Sequence, residues 1–513
     1  MDAPTPLIIF TVLILLISIL AAEWWRRTSA SGRKGHLPPS PPTFPVIGNL
    51  HQLGTYPYRS LQSLAQRYGP IMLLYMGQVP TIVISSARLA KEVMKTQDII
   101  FSDRPKLRTA NRLLYGGTDL GMAPYGEYWR QMRSVCVLHL LSNKRVHSIG
   151  FIREEEVANL VERVSESFPN PVNLSDAFAT MTNDIICRVA LGRKYRVNEE
   201  DGMRFKKMLT ELMVLLGGVN VGDFIPSLGW IHKLCGLEGK ENRVAKEIDA
   251  FLEEIVEEHI RKLKDIGGDQ YHSDISSEKK DFVDTLLEIQ RDNSVGFPLS
   301  RSNIKAIILD MFSAGTDTTY TVLEWAMTEL LRHPSVMKKL QEEVRVIAEG
   351  RLEITNKDLV QMHYLKAVLK ETLRLYPPIP LLIFRRATQD VAVDGYDVFA
   401  GTIVITNAWA IGRDPASWGS DADEFKPERF VDSPVDYKGQ DFELIPFGAG
   451  RRGCPGMTLA MATNELALAN LMLRFNWELP QGMRAEDLDM SQCNGIPIHR
   501  KVTLRVIGVP MVS

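Results

Sequence analysis

A glycine-rich segment with a single cysteine is the strongest chemical signal in the chain. Residues 447–456 read FGAGRRGCPG, and a helical pattern begins directly afterwards at Met457. A thiolate is stabilised by the dipole and free amides at a helix amino terminus, and Arg452 adds positive charge two residues from Cys454. Glycines let such a loop turn tightly and approach a flat ligand. Cys454 is therefore a candidate metal ligand; the alternative is a structural cysteine buried in a glycine-rich turn.

Two further sets of polar residues lie on patterns typical of helices. Residues 314–319 read AGTDTT in the middle of a helical stretch. A threonine hydroxyl can bond the carbonyl four residues earlier, here Thr318 to Ala314, and bend the helix. The alternative is a patch of small residues beside a solvated Asp317. Glu371 and Arg374 lie one helical turn apart, a spacing that by itself usually indicates a solvated surface pair.

Four segments together resemble one protein family. The segment 447–456 matches every fixed position of F-x-x-G-x-R-x-C-x-G, the haem-binding signature of the cytochromes P-450. Glu371 and Arg374 match the family's E-x-x-R, and residues 425–430 (FKPERF) match its F-x-P-E-R-F. Residues 129–133 (WRQMR) match W-x-x-x-R. The apolar amino terminus and the AGTDTT form resemble the large plant microsomal clan of specialised metabolism, and the resemblance covers nearly the whole chain.

The resemblance implies a haem b cofactor (iron protoporphyrin IX) with Cys454 as the metal ligand. It implies a buried ionic triad of Glu371, Arg374 and Arg429, whose value lies in fixing one geometry near the haem loop because buried charges are costly unless fully hydrogen-bonded. The expected cofactor-binding residues are Trp129, Arg133, Arg385, Phe447, Arg452 and Gly456. Of these, Trp129 and the three arginines are expected to bind the haem carboxylates, because a guanidinium binds a carboxylate bidentately.

The same resemblance implies the catalytic and substrate-binding residues. Asp317 and Thr318 match an acid–alcohol pair that delivers protons during oxygen activation, and the small Ala314 leaves room for dioxygen. By position, substrate contacts are expected from the loop 107–123 and from residues 494–496. The predicted pocket residues are Leu114, Met311, Ala314, Ile379, Leu381, Ile383 and Ile496. Phe384 and Phe399 stand where relatives usually carry proline, which puts the transfer of any particular substrate in doubt.

The implied reaction is monooxygenation, in which one atom of dioxygen enters a small apolar substrate and the other leaves as water. No G-x-G-x-x-G follows a strand and no flavin site is apparent, so electrons are expected from NADPH through a separate partner, NADPH-cytochrome P-450 reductase. Terpenoids, indoles or aldoxime-derived compounds, and phenolics all fit the clan as substrates. A haem-thiolate isomerase or dehydratase that needs no oxygen is the alternative, although the Asp317–Thr318 pair argues against it. A non-enzymatic haem sensor or carrier is a remote second alternative.

Helices must position most of these residues. Apolar residues recur at helical spacing over 243–265, 304–332, 362–375 and 457–473. Strand-like runs occur at 71–75, 81–84 and 402–406, and the polar segment 266–281 indicates a surface loop. Helix outweighs strand, so the predicted class is mostly α with small β-sheets. This agrees with the cytochrome P-450 fold, a single large domain.

The amino terminus predicts a membrane anchor. Residues 6–22 carry no charge, tryptophans follow at 24 and 25, and basic residues come only after them. We therefore expect an uncleaved single-pass anchor over 1–25, with a cleaved signal peptide as the alternative. A basic and proline-rich hinge is expected over 26–48 and the haem-binding monooxygenase domain over 49–513, facing the cytoplasm from the endoplasmic reticulum membrane.

Composition excludes other classes. The net charge is −2, so no nucleic-acid partner is indicated. The five cysteines are scattered, which argues against a disulfide framework and fits a reducing compartment.

Overall fold

The computed structural model describes residues 35–195, 200–265, 280–293, 295–493 and 495–511. The predicted anchor (1–25), the start of the predicted hinge and residues 266–279 of the predicted polar loop lie outside the described residues. Within them, helix strongly outweighs strand, as the sequence predicted.

The longer helices form the body, and short ones connect them. The helices are α1 (Pro57–Tyr68), α2 (Ala87–Lys91), α3 (Arg108–Leu113), α4 (Glu127–Val135), α5 (Asn143–Ser148), α6 (Gly150–Ser167), α7 (Leu174–Leu191), α8 (Glu200–Leu216), α9 (Val221–Phe224), α10 (Trp230–Leu234), α11 (Leu237–Asp265), α12 (Phe282–Asp292), α13 (Arg301–Gly315), α14 (Asp317–Arg332), α15 (Pro334–Ala348), α16 (His363–Leu375), α17 (Ala408–Ile411), α18 (Pro415–Trp418) and α19 (Met457–Arg474).

Three small sheets lie beside the helices. The strands are β1 (Ile71–Met76), β2 (Val79–Ile84), β3 (Val172–Asn173), β4 (Arg385–Arg386), β5 (Val391–Val393), β6 (Tyr396–Val398), β7 (Ile403–Thr406), β8 (Phe475–Glu478) and β9 (Arg505–Pro510). The largest sheet has the order β1-β2-β7-β4, the second β3-β9-β8, and β5 pairs with β6. β2 and β7 run parallel, with Thr81 opposite Ile403, so chain segments far apart in sequence meet in one sheet.

The centre of the fold is the pair α13 and α14, which packs against α7 and is covered by α16 and α19. Every residue of α14 from Thr321 to Leu331 is buried, so the helix is enclosed on all sides. Its buried Glu324 and Glu329 accept hydrogen bonds from Ser175 and Tyr376, as buried polar groups require. The sequence predicted one continuous helix over 304–332. The structure has a helix over nearly the same range but divides it into α13 and α14 at a single residue, Thr316, whose φ of −83° and ψ of −68° stay in the right-handed helical region.

Other predicted elements agree closely with the structure. The predicted helices 243–265, 362–375 and 457–473 lie within or next to α11, α16 and α19. The interval 107–123 is not a continuous loop as expected, because α3 occupies Arg108–Leu113 at its start.

The described end of the predicted hinge is attached to the body. The Leu73 amide donates to the Pro39 carbonyl at 2.9 Å, and the His36 amide donates to the Asp397 carboxylate at 2.8 Å. The predicted boundary at residue 48 stays a prediction. Within the described ranges, no single helix is long and apolar enough to span a membrane. Only the stretches Asp201–Phe224 and Pro226–Leu234, bent by 113° at their junction, pass together on length and composition.

Candidate active site

The loop before α19 places the Cys454 thiol at a helix amino terminus, as predicted. The Cys454 amide donates to the Phe447 carbonyl at 2.9 Å, which closes the loop. The amides of Gly456 and Met457, at the start of the helix, act on the sulfur and favour its thiolate form.

One glycine of this loop is required by a close backbone approach. Gly450 has a φ of +66°, and a Cβ there would lie 2.1 Å from the Met94 carbonyl oxygen. Only glycine tolerates both conditions. Asp98, which the sequence analysis missed, holds the same region because its carboxylate accepts the Arg451 amide at 2.9 Å. At this position the glycine therefore makes room for the protein backbone, in addition to any role toward a flat ligand.

The electrostatics of the thiol differ from the expectation. Burial raises the pKa of Cys454, and the two helix amides and the Arg133 guanidinium offset that rise in part. Arg452, expected to supply the positive charge, instead donates to the carbonyls of Ser102 and Ala123. The guanidinium that acts on the thiol is therefore that of Arg133. A thiol bound to a metal ion is deprotonated by the metal itself, so a raised pKa does not conflict with ligation.

Of the four residues predicted to bind the haem carboxylates, three already donate hydrogen bonds to the protein and one does not within the described ranges. Arg385 donates to Asp98 at 2.8 Å and to the Ala449 carbonyl at 2.7 Å. The Arg452 guanidinium lies 4.1 Å from the centroid of the Trp129 ring, and the single indole N–H of Trp129 donates to the Leu120 carbonyl at 3.0 Å. Among the described residues, Arg133 has no hydrogen-bond partner, so its donors remain available. The roles of all four toward haem stay predictions.

The interruption between α13 and α14 brings the acid–alcohol pair to an accessible position. The Thr318 hydroxyl donates to the Ala314 carbonyl at 2.5 Å, the bond that the sequence predicted. Ala314 is exposed although its helix lies at the centre of the fold, so this face borders an internal space. The Thr316 hydroxyl is buried and has no partner in the described part of the chain. At the interruption, the face of this core helix that carries Ala314 is therefore accessible from the internal space.

Asp317 is placed where it can hold a proton. Burial raises the pKa of its carboxyl above the usual range, and the nearby His499 lowers it in part. The carboxyl makes no side-chain hydrogen bond within the described residues, so nothing there fixes it in its ionised form. An acid with these properties retains its proton to higher pH than an exposed aspartate.

The predicted pocket residues vary in accessibility. Leu114 is buried, Met311, Ile379, Leu381 and Ile496 are partly buried, and Ile383 is 41% exposed. Leu382 has a φ of +52°, a strained conformation for a branched residue, and a Cβ at Gly448 would lie 3.9 Å from its side chain. The turn that carries Leu381 and Ile383 therefore lies against the cysteine loop. That these residues contact a substrate stays a prediction.

Glu371, Arg374 and Arg429 meet in a buried ionic network. Arg374 donates to Glu371 through Nε and Nη2 at 2.6 and 2.7 Å, and Arg429 donates to it through Nε at 3.1 Å. Glu371 and Arg374 are buried completely or nearly so. Arg374 also donates to three carbonyls (Gly412, Ala422 and Glu424). The network joins α16 to the segment that carries Arg429.

These features fit a haem. The Cys454 side chain is accessible, yet burial raises the pKa of its thiol, so the sulfur borders the interior of the protein. The exposed Ala314 of a core helix also borders the interior, and the Arg133 guanidinium remains free to bind a carboxylate. A thiolate ligand, a small-residue wall and a cationic rim are what an iron porphyrin with two carboxylates requires.

Comparisons with known proteins agree with this geometry. The family model for cytochrome P450 matches residues 38–503. Cytochrome P450 736A117 of Prunus mume is 52% identical over 504 residues, 98% of this chain and 95% of that protein. Norfluorocurarine oxidase of a Strychnos species is 48% identical over 501 residues, 97% of each chain. A zebrafish cytochrome P450 structure with abiraterone has a TM-score of 0.75 at 25% identity, covering 90% of this chain and all of that one. The chain therefore belongs to the cytochrome P450 family, among its plant members, and is a haem-binding monooxygenase.

Proposed function

We propose that this monooxygenase inserts oxygen into a small apolar plant metabolite, using electrons from NADPH that a separate NADPH-cytochrome P450 reductase delivers at the endoplasmic reticulum membrane. The single observation that carries the oxygen-dependent reaction is the break at Thr316, which sets Asp317 and Thr318 beside the exposed Ala314. When bound, haem supplies the oxidising chemistry, and the protein supplies positioning and protons.

The protein's own contribution follows from the site residues. Cys454 would hold the haem iron through its sulfur, and a thiolate ligand would supply electron density to the iron. Burial raises the pKa of the Asp317 carboxyl and so favours its protonated form, and Thr318 presents a hydroxyl one residue away. Positioned proton transfer of this kind contributes ~10²–10⁴-fold to enzymatic rates. An isomerase or dehydratase that does not reduce oxygen has no need of this pair.

The proposed substrate is apolar because the predicted pocket residues are apolar. Met311, Leu381, Ile383 and Ile496 offer hydrocarbon and thioether surface, and none of them offers a charge. The relative named norfluorocurarine oxidase supports a plant metabolite as the class of substrate. Terpenoids, indoles or aldoxime-derived compounds, and phenolics are the classes that we propose to screen.

The reductase and the membrane are inferred from the chain's own sequence. The family model matches residues 38–503, and no G-x-G-x-x-G follows a predicted strand in the sequence. The apolar stretch 6–22 and the basic residues that follow it support an anchor whose soluble body faces the cytoplasm. Removal of residues 1–34 should release part of the protein from membranes while haem is still incorporated. Failure of the shortened chain to load haem would contradict this separation of roles.

The experiment that tests the ligand compares Cys454→Ala with Cys235→Ala. Cys235 is an exposed cysteine far along the chain from the loop, so it controls for the loss of a thiol. The reduced, carbon monoxide-treated wild type and Cys235→Ala should absorb far to the red of a histidine-ligated haem, and Cys454→Ala should not. Retention of that spectrum in Cys454→Ala would exclude the assignment.

The experiment that tests the reaction reconstitutes the full chain with the plant reductase and NADPH. A library of the three compound classes is first screened for displacement of the iron-bound water, and the compounds that bind are incubated under ¹⁸O₂. Products that carry one ¹⁸O atom and consume NADPH support the proposal. Conversion without NADPH or oxygen would identify an isomerase or dehydratase instead.

A further inference from the structure

The turn at residues 119–123 is tied to the central helix by an aspartate that the proposed reaction does not use. The Asp310 carboxyl on α13 accepts the Leu120 amide at 2.6 Å. The Leu120 carbonyl in turn accepts the indole N–H of Trp129 at 3.0 Å and also a donor of Arg452. Leu120 therefore links α13, one helical turn before Ala314, to two of the predicted haem-carboxylate partners.

A second carboxyl lies in the same turn. Asp119 is only 1% exposed, and its Oδ2 accepts the Met122 amide at 2.7 Å. Its other oxygen is buried and has no partner in the described part of the chain. Arg104 donates to the Gly121 carbonyl at 2.9 Å, so a cation also holds the turn from the side away from α13.

The charges around the two carboxyls are unequal. Burial raises the pKa of Asp119 to about 6, and Arg104 and Arg452 act on its carboxylate in the opposite direction, so Asp119 is largely ionised at neutral pH. Asp310 faces the negative charge of Asp119 and the weakly acidic groups Tyr128 and Cys136, and no described cation acts on it. Two carboxylates close together in an enclosed site do not both ionise at neutral pH. Burial and the charge of Asp119 accordingly raise the pKa of Asp310 well above the ordinary value.

We propose that Asp310 is a positioning residue that keeps its proton at neutral pH and, as a neutral acceptor, fixes the 119–123 turn to α13, while Asp119 remains its ionised partner. Any effect of this attachment on the active site, through the positions of Ala314 and Trp129, rests on the proposed function, because both residues belong to that site. The attachment of the turn itself does not depend on it.

The first test measures amide hydrogen exchange of residues 119–123 in the full-length, haem-loaded protein. Asp310→Asn keeps a neutral acceptor for the Leu120 amide, whereas Asp310→Leu keeps the branching of the side chain, with larger methyl groups, and has no acceptor. Exchange in the turn should stay close to wild type in Asp310→Asn and become about tenfold faster or more in Asp310→Leu. Equal exchange in the two variants would overturn the attachment.

The second test measures whether Asp310 is protonated at neutral pH. It uses only Asp310→Asn, which preserves the acceptor for the Leu120 amide. A carboxyl whose pKa is raised on folding contributes stability at low pH that is lost as the pH rises toward its folded pKa. Asparagine cannot titrate, so the unfolding temperature of Asp310→Asn should gain on that of wild type from pH 5 to pH 8. A constant difference would overturn proton retention by Asp310.

Asp249→Asn is the matched control. Asp249 contacts the same helix through Lys305, and hydrogen bonds lower its pKa against the effect of burial, so it is ionised throughout this pH range. Its substitution should change the unfolding temperature by the same amount at pH 5 and at pH 8. Neither measurement uses turnover, so a protein without monooxygenase activity can still support this proposal, and an active one can still refute it.

Discussion

The ionic network at Glu371 and the helix break at Thr316 both bury polar groups, but they do so in opposite ways. Both oxygens of Glu371 accept hydrogen bonds, and the Arg374 guanidinium meets three carbonyls besides. At the break, the Thr316 hydroxyl has no partner in the described chain, and burial raises the pKa of Asp317. A complete network fixes one geometry, whereas an incomplete one leaves donors and acceptors for a reaction. The first region should therefore govern folding and the second the fate of oxygen.

The largest effect is expected from removing Glu371, the carboxylate that both arginines of the ionic network contact. Glu371→Ala leaves Arg374 buried without its carboxylate, which typically costs ~3–5 kcal/mol, a large part of a domain's stability. We expect little haem-loaded protein, measured as the ratio of haem absorbance to protein.

Glu428→Ala is the control for that variant. Glu428 lies in the neighbouring segment but is exposed, and it pairs with Lys339 and Tyr364. Surface ion pairs contribute ~0–1 kcal/mol, so its loading should match wild type. Normal loading and slower turnover in Glu371→Ala would mean that the network acts in catalysis and not in folding.

The next largest effect is expected from removing the Thr318 hydroxyl, two residues after the interruption at Thr316. Thr318→Ala removes the hydroxyl beside Ala314 and should leave the fold intact, because that hydroxyl bonds only to the backbone carbonyl four residues earlier, across the interruption at Thr316. Substrate binding and reduction should persist, while product formed per NADPH falls by about 10²-fold and hydrogen peroxide rises. Thr210→Ala on α8 is matched, since the Thr210 hydroxyl makes the same bond to a carbonyl four residues earlier on an exposed surface. Unchanged coupling in Thr318→Ala would favour an oxygen-independent reaction or a substrate that supplies its own hydroxyl.

The two regions also differ in how far the sequence could define them. The network was predictable because Glu371 and Arg374 are one turn apart on a strongly periodic helix, and a motif supplied Arg429. The Thr318 bond was predictable because it is local. The interruption at Thr316 was not, since the helical pattern of residue types continues across it and a single residue that stays in the helical region leaves no sign in that pattern.

The residues that the sequence analysis missed act through distant partners. Asp98 and Asp310 bind amides that lie near them only in the folded chain, whereas Asp119 binds the Met122 amide of its own turn and is buried only by the surrounding fold. One signal did exist: Asp310 is the single charge in the apolar run 306–316, one turn before Ala314. A charged residue at a core position of a helix must find a partner, and this indicates a site without naming it.

The smallest expected effect is that of Asp317→Asn. It tests whether the buried Asp317 carboxyl lowers the stability of the fold while it serves the reaction. Burial raises the pKa of Asp317, so its stabilising contribution is present below the pKa of an unfolded aspartate, about 3.9, and is lost as the pH rises through the folded pKa. Asp317→Asn cannot titrate, so its unfolding temperature should gain on wild type from pH 5 to pH 8. Its coupling of NADPH to product should be lower by roughly tenfold, less than for Thr318→Ala, because water can replace a proton carrier more readily than a fixed hydroxyl.

The pH profile of coupling separates these two roles of Asp317. Wild-type coupling should decline as the carboxyl loses its proton, while the Asp317→Asn profile should be flat over the same range. The measurement is product and peroxide per NADPH at each pH, alongside the unfolding temperature. A variant that is less stable at high pH, or a wild type whose coupling rises with pH, would show that Asp317 is held ionised. The break would then resemble the Glu371 network, with a partner for its charge that completes it when haem and substrate are bound.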